Sequence, residues 1–248
     1  MVIPLGLDLG PAVALGAAFF IAAFIRGYSG FGFSALVVAF SGLITNPVLL
    51  VPVVMLCEIA MTAGQLRGIS GLIDWRRIWP MLAGAAVAMP VSVTLLARVG
   101  ADPARLAISL LILIMSFILL AGWTLRKPIN LLGHAGVGVA SGIANGAAVG
   151  GLPVAAFMAA QPIAAPVFRA TMVAYLTAID LVALPVLWAN GMVTGDTLKV
   201  FALAAPLLAL GLWLGGRHFL AASPQSFRRM AIVLLMILSG LGLLHSVM

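Results

Sequence analysis

Charged residues are so sparse along this chain that the polar pattern itself divides it into segments. Uncharged runs cover residues 9–25, 27–57, 78–97, 106–125, 128–168, 200–216 and 230–248, close to or above the roughly 20 residues that a membrane-spanning helix needs. The two longest runs must each hold more than one segment. Dividing them at their glycines and at Asn46-Pro47 and Gln161-Pro162 predicts ten helical segments: 11–28, 31–44, 47–66, 76–98 and 104–125, then 129–144, 147–160, 162–188, 199–219 and 226–246. The second segment of each five is short, because about fourteen helical residues rise about 21 Å against a hydrocarbon core of about 30 Å. The first two segments of each five are therefore expected to form a broken or re-entrant pair that meets inside the bilayer.

Composition agrees with the pattern. Hydrophobic residues make up 64% of the 248 and charged residues 8%, with a mean hydropathy of +1.24, whereas globular domains carry roughly 25% charge. This is an all-α polytopic membrane protein, read as a single transmembrane domain over 1–248. The net charge of +7 does not indicate nucleic acid: the basic residues lie at the ends of apolar segments, as membrane topology requires, and no basic patch is interleaved with aromatics. Cys57 is the sole cysteine, so no intramolecular disulfide and no cysteine-based metal site can form. His134, His218 and His245 are scattered without ligand spacing, and there is no phosphate-binding P-loop. No metal or cofactor is expected. The chain has no Lys or Arg before Arg26 and carries Asp8, unlike a cleaved signal peptide, so it reads as beginning with the mature protein.

The sequence is written twice. Gly27 and Pro47 recur 115 residues later as Gly142 and Pro162, and Asn46 recurs as Gln161. Ser70–Asp74 faces Asn190–Thr194 at an offset of 120, and the stretch from Ala101 faces the stretch from Ala222 at 121. The expected repeats are 9–127 and 128–248, each of five hydrophobic segments. Five crossings, or three if the first pair only dips in and returns, are both odd, so the repeats should have inverted topology. Ten of the thirteen basic residues fall on one side, among them Arg67, Arg76, Arg77, Arg126, Lys127, Arg217, Arg228 and Arg229. By the positive-inside rule that side is cytoplasmic and both termini lie outside.

Inverted repeats with interrupted helices are a plan of secondary transporters, in which half-helix N-termini near the midplane face an anionic substrate. Gly27, Gly30 and Gly32 in one half, and Gly146, Gly150, Gly151 and Pro153 in the other, would supply the breaks, with freed amides to bind a ligand. Helix packing on small residues is the alternative use of any one of these glycines.

The motifs resemble those of the sulfite exporter TauE/SafE family, also called the toluene sulfonate uptake permease family. "RGYSGFGFSALVVAF" (26–40) and "GAAVGGLPVAAFMAAQ" (146–161) are similar to its two glycine-rich motifs, residues 72–96 to its loop and following helix, and "FRATMVAYL" (168–176) to its Arg-Ala-Thr segment. Phe33 and Ser34 stand where many members continue with glycine, and Phe40 where proline is common. The resemblance implies transport of small sulfur-containing or organic anions such as sulfite, sulfonates or thio-carboxylates, usually outward, proton-coupled, and in a bacterial inner membrane. A passive anion channel or an uptake permease of the same architecture is the alternative; no enzymatic nucleophile, base or metal cluster is found.

A site of this kind needs a cation for the substrate and a group that couples. Arg169, just after the Gln161-Pro162 break, can hold a sulfonate or carboxylate bidentately, or can snorkel to the interface. Arg26 faces the same choice, with snorkelling favoured. Glu58 and Asp180 are the acids deep inside expected spans, where ionisable groups mark proton relays; the structural alternative pairs Glu58 with Arg67. Tyr28, Ser29, Gly30, Asn46, Asn145, Gly150, Gly151 and Gln161 could add neutral contacts to the ligand.

Overall fold

The computed structural model of the chain describes residues 4–122, 124, 129–219, 232, 233, 236, 237 and 240, without the side chains of Arg67, His218 and Phe219. Every regular element among the described residues is helical: α1 (Leu9–Ser29), α2 (Phe33–Ser41), α3 (Val51–Ile69), α4 (Trp75–Arg98), α5 (Ala101–Leu120), α6 (Leu131–Asn145), α7 (Gly151–Ala159), α8 (Ala165–Ala189) and α9 (Gly195–Phe219). Short 3-10 turns occupy Pro4–Gly6, Pro47–Leu50 and Ser70–Leu72. These helices answer to the first nine expected segments. The tenth, 226–246, falls largely outside the described residues, although the five of its residues that are described are helical. Arg126, Lys127, Arg228, Arg229 and His245 also lie outside them.

Among the described residues six helical stretches are long and apolar enough to cross a membrane: α1, Pro47–Leu66, α4, α5, α8 and Gly195–Arg217. The short segments are shorter than expected. α2 and α7 have nine residues each, about 13 Å of helix, because the breaks before them consume more of the chain. Gly30 and Gly32 adopt left-handed φ values of 84° and 92°, and the Gly30 N–H bonds Arg26 O at 2.8 Å; that arrangement ends a helix and disfavours a side chain. In the second half Gly146–Gly150 makes the turn, with Ala148 at φ 58°. α8 begins at Ala165 and not at 162: Ala164 is still extended, with ψ 138°, and Pro166 falls in the first turn, where its missing N–H has no partner to lose.

α3 and α8 form the centre. About 61% of each of these spans is buried, against 28–33% for the other four, and the two pack on each other. Around them α4 runs along α6 and α1 along α9. Both outer pairs close to backbone contact through glycine: a β-carbon on Gly84 would overlap Ala135 O, on Gly142 Ala85 O, on Gly211 Phe20 O and on Gly27 Leu212 O. Helices in a bilayer gain no hydrophobic drive from association and rely on such close packing. Pro80 and Pro90 in α4, Pro185 in α8 and Pro206 in α9 sit inside helices, where neighbours can re-satisfy the freed carbonyls. Val13, Val87, Val91, Leu131 and Leu132 face outward, as lipid contact requires. Trp75 stacks on Trp79, and Arg217 lies 3.9 Å over the Trp213 ring; aromatic rings at helix ends suit the membrane interface.

Candidate functional site

Between Asp8 and Arg67 the chain carries two charges, Arg26 and Glu58, and the fold brings them together. Arg26 sits in the last turn of α1 and is fully buried; its Nη1 meets Glu58 Oε2 at 2.8 Å. The contact is an ion pair more than an aligned hydrogen bond, and Arg26 Nε has no hydrogen-bond partner. Nη2 donates to Thr62 Oγ1 at 2.9 Å and to the Glu58 carbonyl at 3.5 Å. Thr62 in turn lies 2.6 Å from Thr177 Oγ1 on α8. An ion pair this deep balances a desolvation cost of several kcal/mol per charge, and persists when its remaining polar atoms are also satisfied.

The other carboxylate oxygen is held differently. Glu58 Oε1 accepts from the Ser34 N–H at 3.4 Å, in the first turn of α2. That turn starts immediately after the left-handed Gly32, so its free amides and positive dipole end point at the carboxylate. Asp180 enters from α8, 3% exposed, with its carboxyl group beside the Asn145 and Glu58 side chains and within reach of the Arg26 charge. Three helices of the first half and two of the second thus contribute to one charged cluster in the interior.

The second break is built from neutral groups. Ser141 Oγ donates to Gly150 O at 2.7 Å and accepts from Tyr175 OH at 2.8 Å, which ties α6, the turn and α8 together. Gly150 is required there because a β-carbon would strike Ser141 O and the Asn145 side chain. Gly146 packs on Ser92, whose Oγ lies 2.8 Å from Gly142 O. Gly151 packs on Leu176.

Of the sequence-derived candidates, Glu58, Asp180 and Asn145 meet in the cluster. Ser29 closes the first break, its Oγ 2.8 Å from both Ile25 O and Phe31 O; Tyr28 is buried beside it in sequence. Arg169, in the first turns of α8, donates from Nη2 to Gly27 O at 2.6 Å, and Gly30 lies against its backbone. Arg169 also feels the charge of Arg26, so two cations flank the first break. Asn46 and Gln161 serve their own chain ends: Asn46 Oδ1 caps the Pro47–Leu50 turn by accepting from Val48 N–H at 3.1 Å, and Gln161 Nε2 donates to Phe157 O at 3.3 Å.

One expectation is corrected. Arg26 does not snorkel: it is 0% exposed, since it precedes the break by one turn and faces α3 instead of the rim. Glu58 pairs with Arg26, which reaches it across the bundle from α1; the side chain of Arg67, its expected structural partner, lies outside the described residues. Ser34, Thr62, Ser141, Tyr175 and Thr177 were not among the candidates. A hydroxyl in an apolar segment is an unspecific sign, as most act only between helices. The one legible signal was the isolation of Arg26 and Glu58 as opposite charges in a long uncharged stretch.

Among the described residues no group of three or more His, Cys, Asp or Glu side chains could hold a metal ion. His134 instead lies edge-on to Phe157, its Nδ1 2.9 Å from Asn130 O. A protein-family model described as Sulfite exporter TauE/SafE matches residues 15–243 of the chain. No curated protein and no solved structure matches it significantly.

Proposed function

The chain belongs to the sulfite exporter TauE/SafE family, and on that premise we propose that it is a proton-coupled secondary transporter that moves small sulfur-containing or organic anions outward. Sulfite, sulfonates and thio-carboxylates are the substrate class. The observation that carries this reading is the buried cluster of Arg26, Glu58 and Asp180 at the end of a broken helix. A passive channel has no need of two carboxylates there, whereas a coupled carrier needs an acid that exchanges a proton beside a cation that meets the anion. Tyr28, Ser29, Gly30 and Arg169 at one break, and Asn145, Gly150 and Gly151 at the other, line the substrate's path; Asn46 and Gln161 mark where each short helix returns to the rim.

The carrier works as two inverted repeats, 9–127 and 128–248, with both termini on the periplasmic side of a bacterial inner membrane. The exchanged packing of the outer helices supports this. The contact of Gly142 with Ala85 answers to that of Gly27 with Leu212, and Gly84 with Ala135 to Gly211 with Phe20. Gly27 and Gly142, like Phe20 and Ala135, are 115 apart, while Gly84 and Gly211, like Ala85 and Leu212, are 127 apart. The second spacing exceeds the loop offset of 120 by about two helical turns, which returns to the same helix face.

Purified protein in liposomes, screened with labelled sulfite, methanesulfonate and mercaptoacetate with and without a pH gradient, tests the reading. Accumulation of at least one probe that collapses when the gradient is dissipated is the expected result. Flux that follows only the probe's own gradient makes the protein a channel or an uncoupled permease, and Asp180→Asn should convert the wild type to that behaviour if Asp180 carries the coupling proton.

A further inference from the structure

We infer that the Glu58 carboxylate occupies the seat of the transported anion, held between the Arg26 guanidinium and the N-terminus of α2, and that substrate binds there by displacing it. The inference rests on the transport reading above for the identity of the ligand, a small oxyanion.

The seat has the parts an oxyanion site needs. On one side is a guanidinium, fully buried, with one nitrogen on Glu58 Oε2 at 2.8 Å and Nε without a hydrogen-bond partner. On the other is the first turn of α2, whose Ser34 N–H reaches Glu58 Oε1 at 3.4 Å. Glu58 is 1% exposed and Ser34 9%, so no water competes strongly. A carboxylate that spans a guanidinium and a helix N-terminus uses the two groups that would otherwise hold a sulfite, sulfonate or carboxylate from solution. The Ser34 contact is long for a hydrogen bond, and a tethered side chain that fits a seat imperfectly is one a free anion can replace.

Charge balance couples the exchange to a proton. Among the described residues the titratable and charged groups facing Glu58 are Arg26 from α1, Asp180 from α8 and its neighbour Cys57 on α3. α2 presents its backbone; α9, which also packs on α3, carries Asp196 and Lys199 paired with each other and Arg217 over Trp213. An arriving anion takes over Arg26 and leaves Glu58 beside Asp180 with no cation. Asp180 stands beside Glu58 before and after the exchange, so the proton the two carboxyl groups share does not alter the count; the charge left uncompensated is Glu58's own, neutralised by one further proton that is taken up from the aqueous side then open and given back when the anion leaves and Glu58 returns to Arg26. One proton therefore accompanies one anion.

The test is equilibrium binding of radiolabelled sulfite and methanesulfonate to the full-length chain in detergent, from mildly acidic to mildly alkaline pH. In the wild type, affinity should weaken by up to about tenfold per pH unit as pH rises, the slope of one linked proton. Glu58→Gln removes the tethered competitor and should bind at least about tenfold tighter at alkaline pH, given the high effective concentration of an intramolecular ligand, with the pH slope abolished. Adding Arg26→Lys to Glu58→Gln should lose that gain. Glu58→Asp keeps the charge, and so the fold, but is too short to span both groups; it should bind more tightly than wild type and retain the slope. A monodisperse Glu58→Gln that binds both probes no better than wild type, binds neither, or keeps the slope overturns the inference; if that variant does not fold, an unchanged Glu58→Asp does so. Binding is read without flux, so a chain that transports nothing in liposomes fails the transport reading while a tightened Glu58→Gln still upholds the seat.

Discussion

The two helix breaks occupy equivalent places in the two halves and are held by opposite chemistry. Arg26 and Ser141 stand 115 residues apart, the spacing of Gly27 and Gly142. In the first half that position reaches α3 through an ion pair with Glu58 and a bond to Thr62. In the second it reaches α8, the corresponding central helix, through the neutral pair of Ser141 and Tyr175. One geometry therefore supports either a charged contact or a hydroxyl contact. The charged one can be opened by a proton or by a competing anion, whereas the neutral one responds to neither. On the proposed transport reading, a single electrostatic site would set a defined stoichiometry, and the second break would serve to keep the short helix α7 in position.

If that contrast is right, the largest effect should come from Arg26→Ala. It strands the Glu58 charge in the interior, which typically costs about 3–5 kcal/mol, so folded protein recovered from membranes should fall sharply. Arg26→Ala with Glu58→Ala should recover much of the yield by removing the stranded charge, yet not transport; size-exclusion profiles and flux measured side by side check both. Equal yields for the single and double variants would mean that the ion pair is not the first break's support.

Gly30→Ala should come next. Its φ of 84° costs an alanine roughly 1–2 kcal/mol, and the added β-carbon would press on the Arg169 backbone, so a loss at the upper end of that range or above is expected in a thermal unfolding series. Tyr175→Phe tests the neutral break. Removing the hydroxyl loses one buried hydrogen bond worth about 1 kcal/mol, since Ser141 keeps its bond to Gly150 O. Thermal stability should drop slightly, and proton-coupled flux should keep its wild-type pH profile; a changed profile would show that the second break also takes part in coupling. The smallest effect has the opposite sign. Ala148 holds φ 58° in the second break, whereas the first break uses glycine at both of its left-handed positions, Gly30 and Gly32, so Ala148→Gly should raise stability by up to about 1 kcal/mol, seen as a small rise in melting temperature.

The sequence by itself determined the membrane character, the positions of the segments and the existence of two short broken ones. Each of these follows from local properties: too few charges for a solvated surface, runs of bilayer length, and Gly30, Gly32 and the Gly146–Gly151 stretch where a helix has to stop. It also marked Glu58 and Asp180 as unusual, because an acid inside an apolar span is unusual wherever it points. Only the tertiary structure decided which charges meet. Arg26 ends an apolar segment, and from sequence that position is equally consistent with a rim; what buries it is the packing of α1 along α9 through Gly27, Gly211 and Gly215, which sets the rotation of α1 about its own axis. That rotation is a sum of contacts between residues nearly 200 positions apart, and no local pattern encodes it. The same holds for Ser34, whose side chain carries no signal, and whose backbone N–H acquires its meaning only because the turn at Gly32 aims it at Glu58.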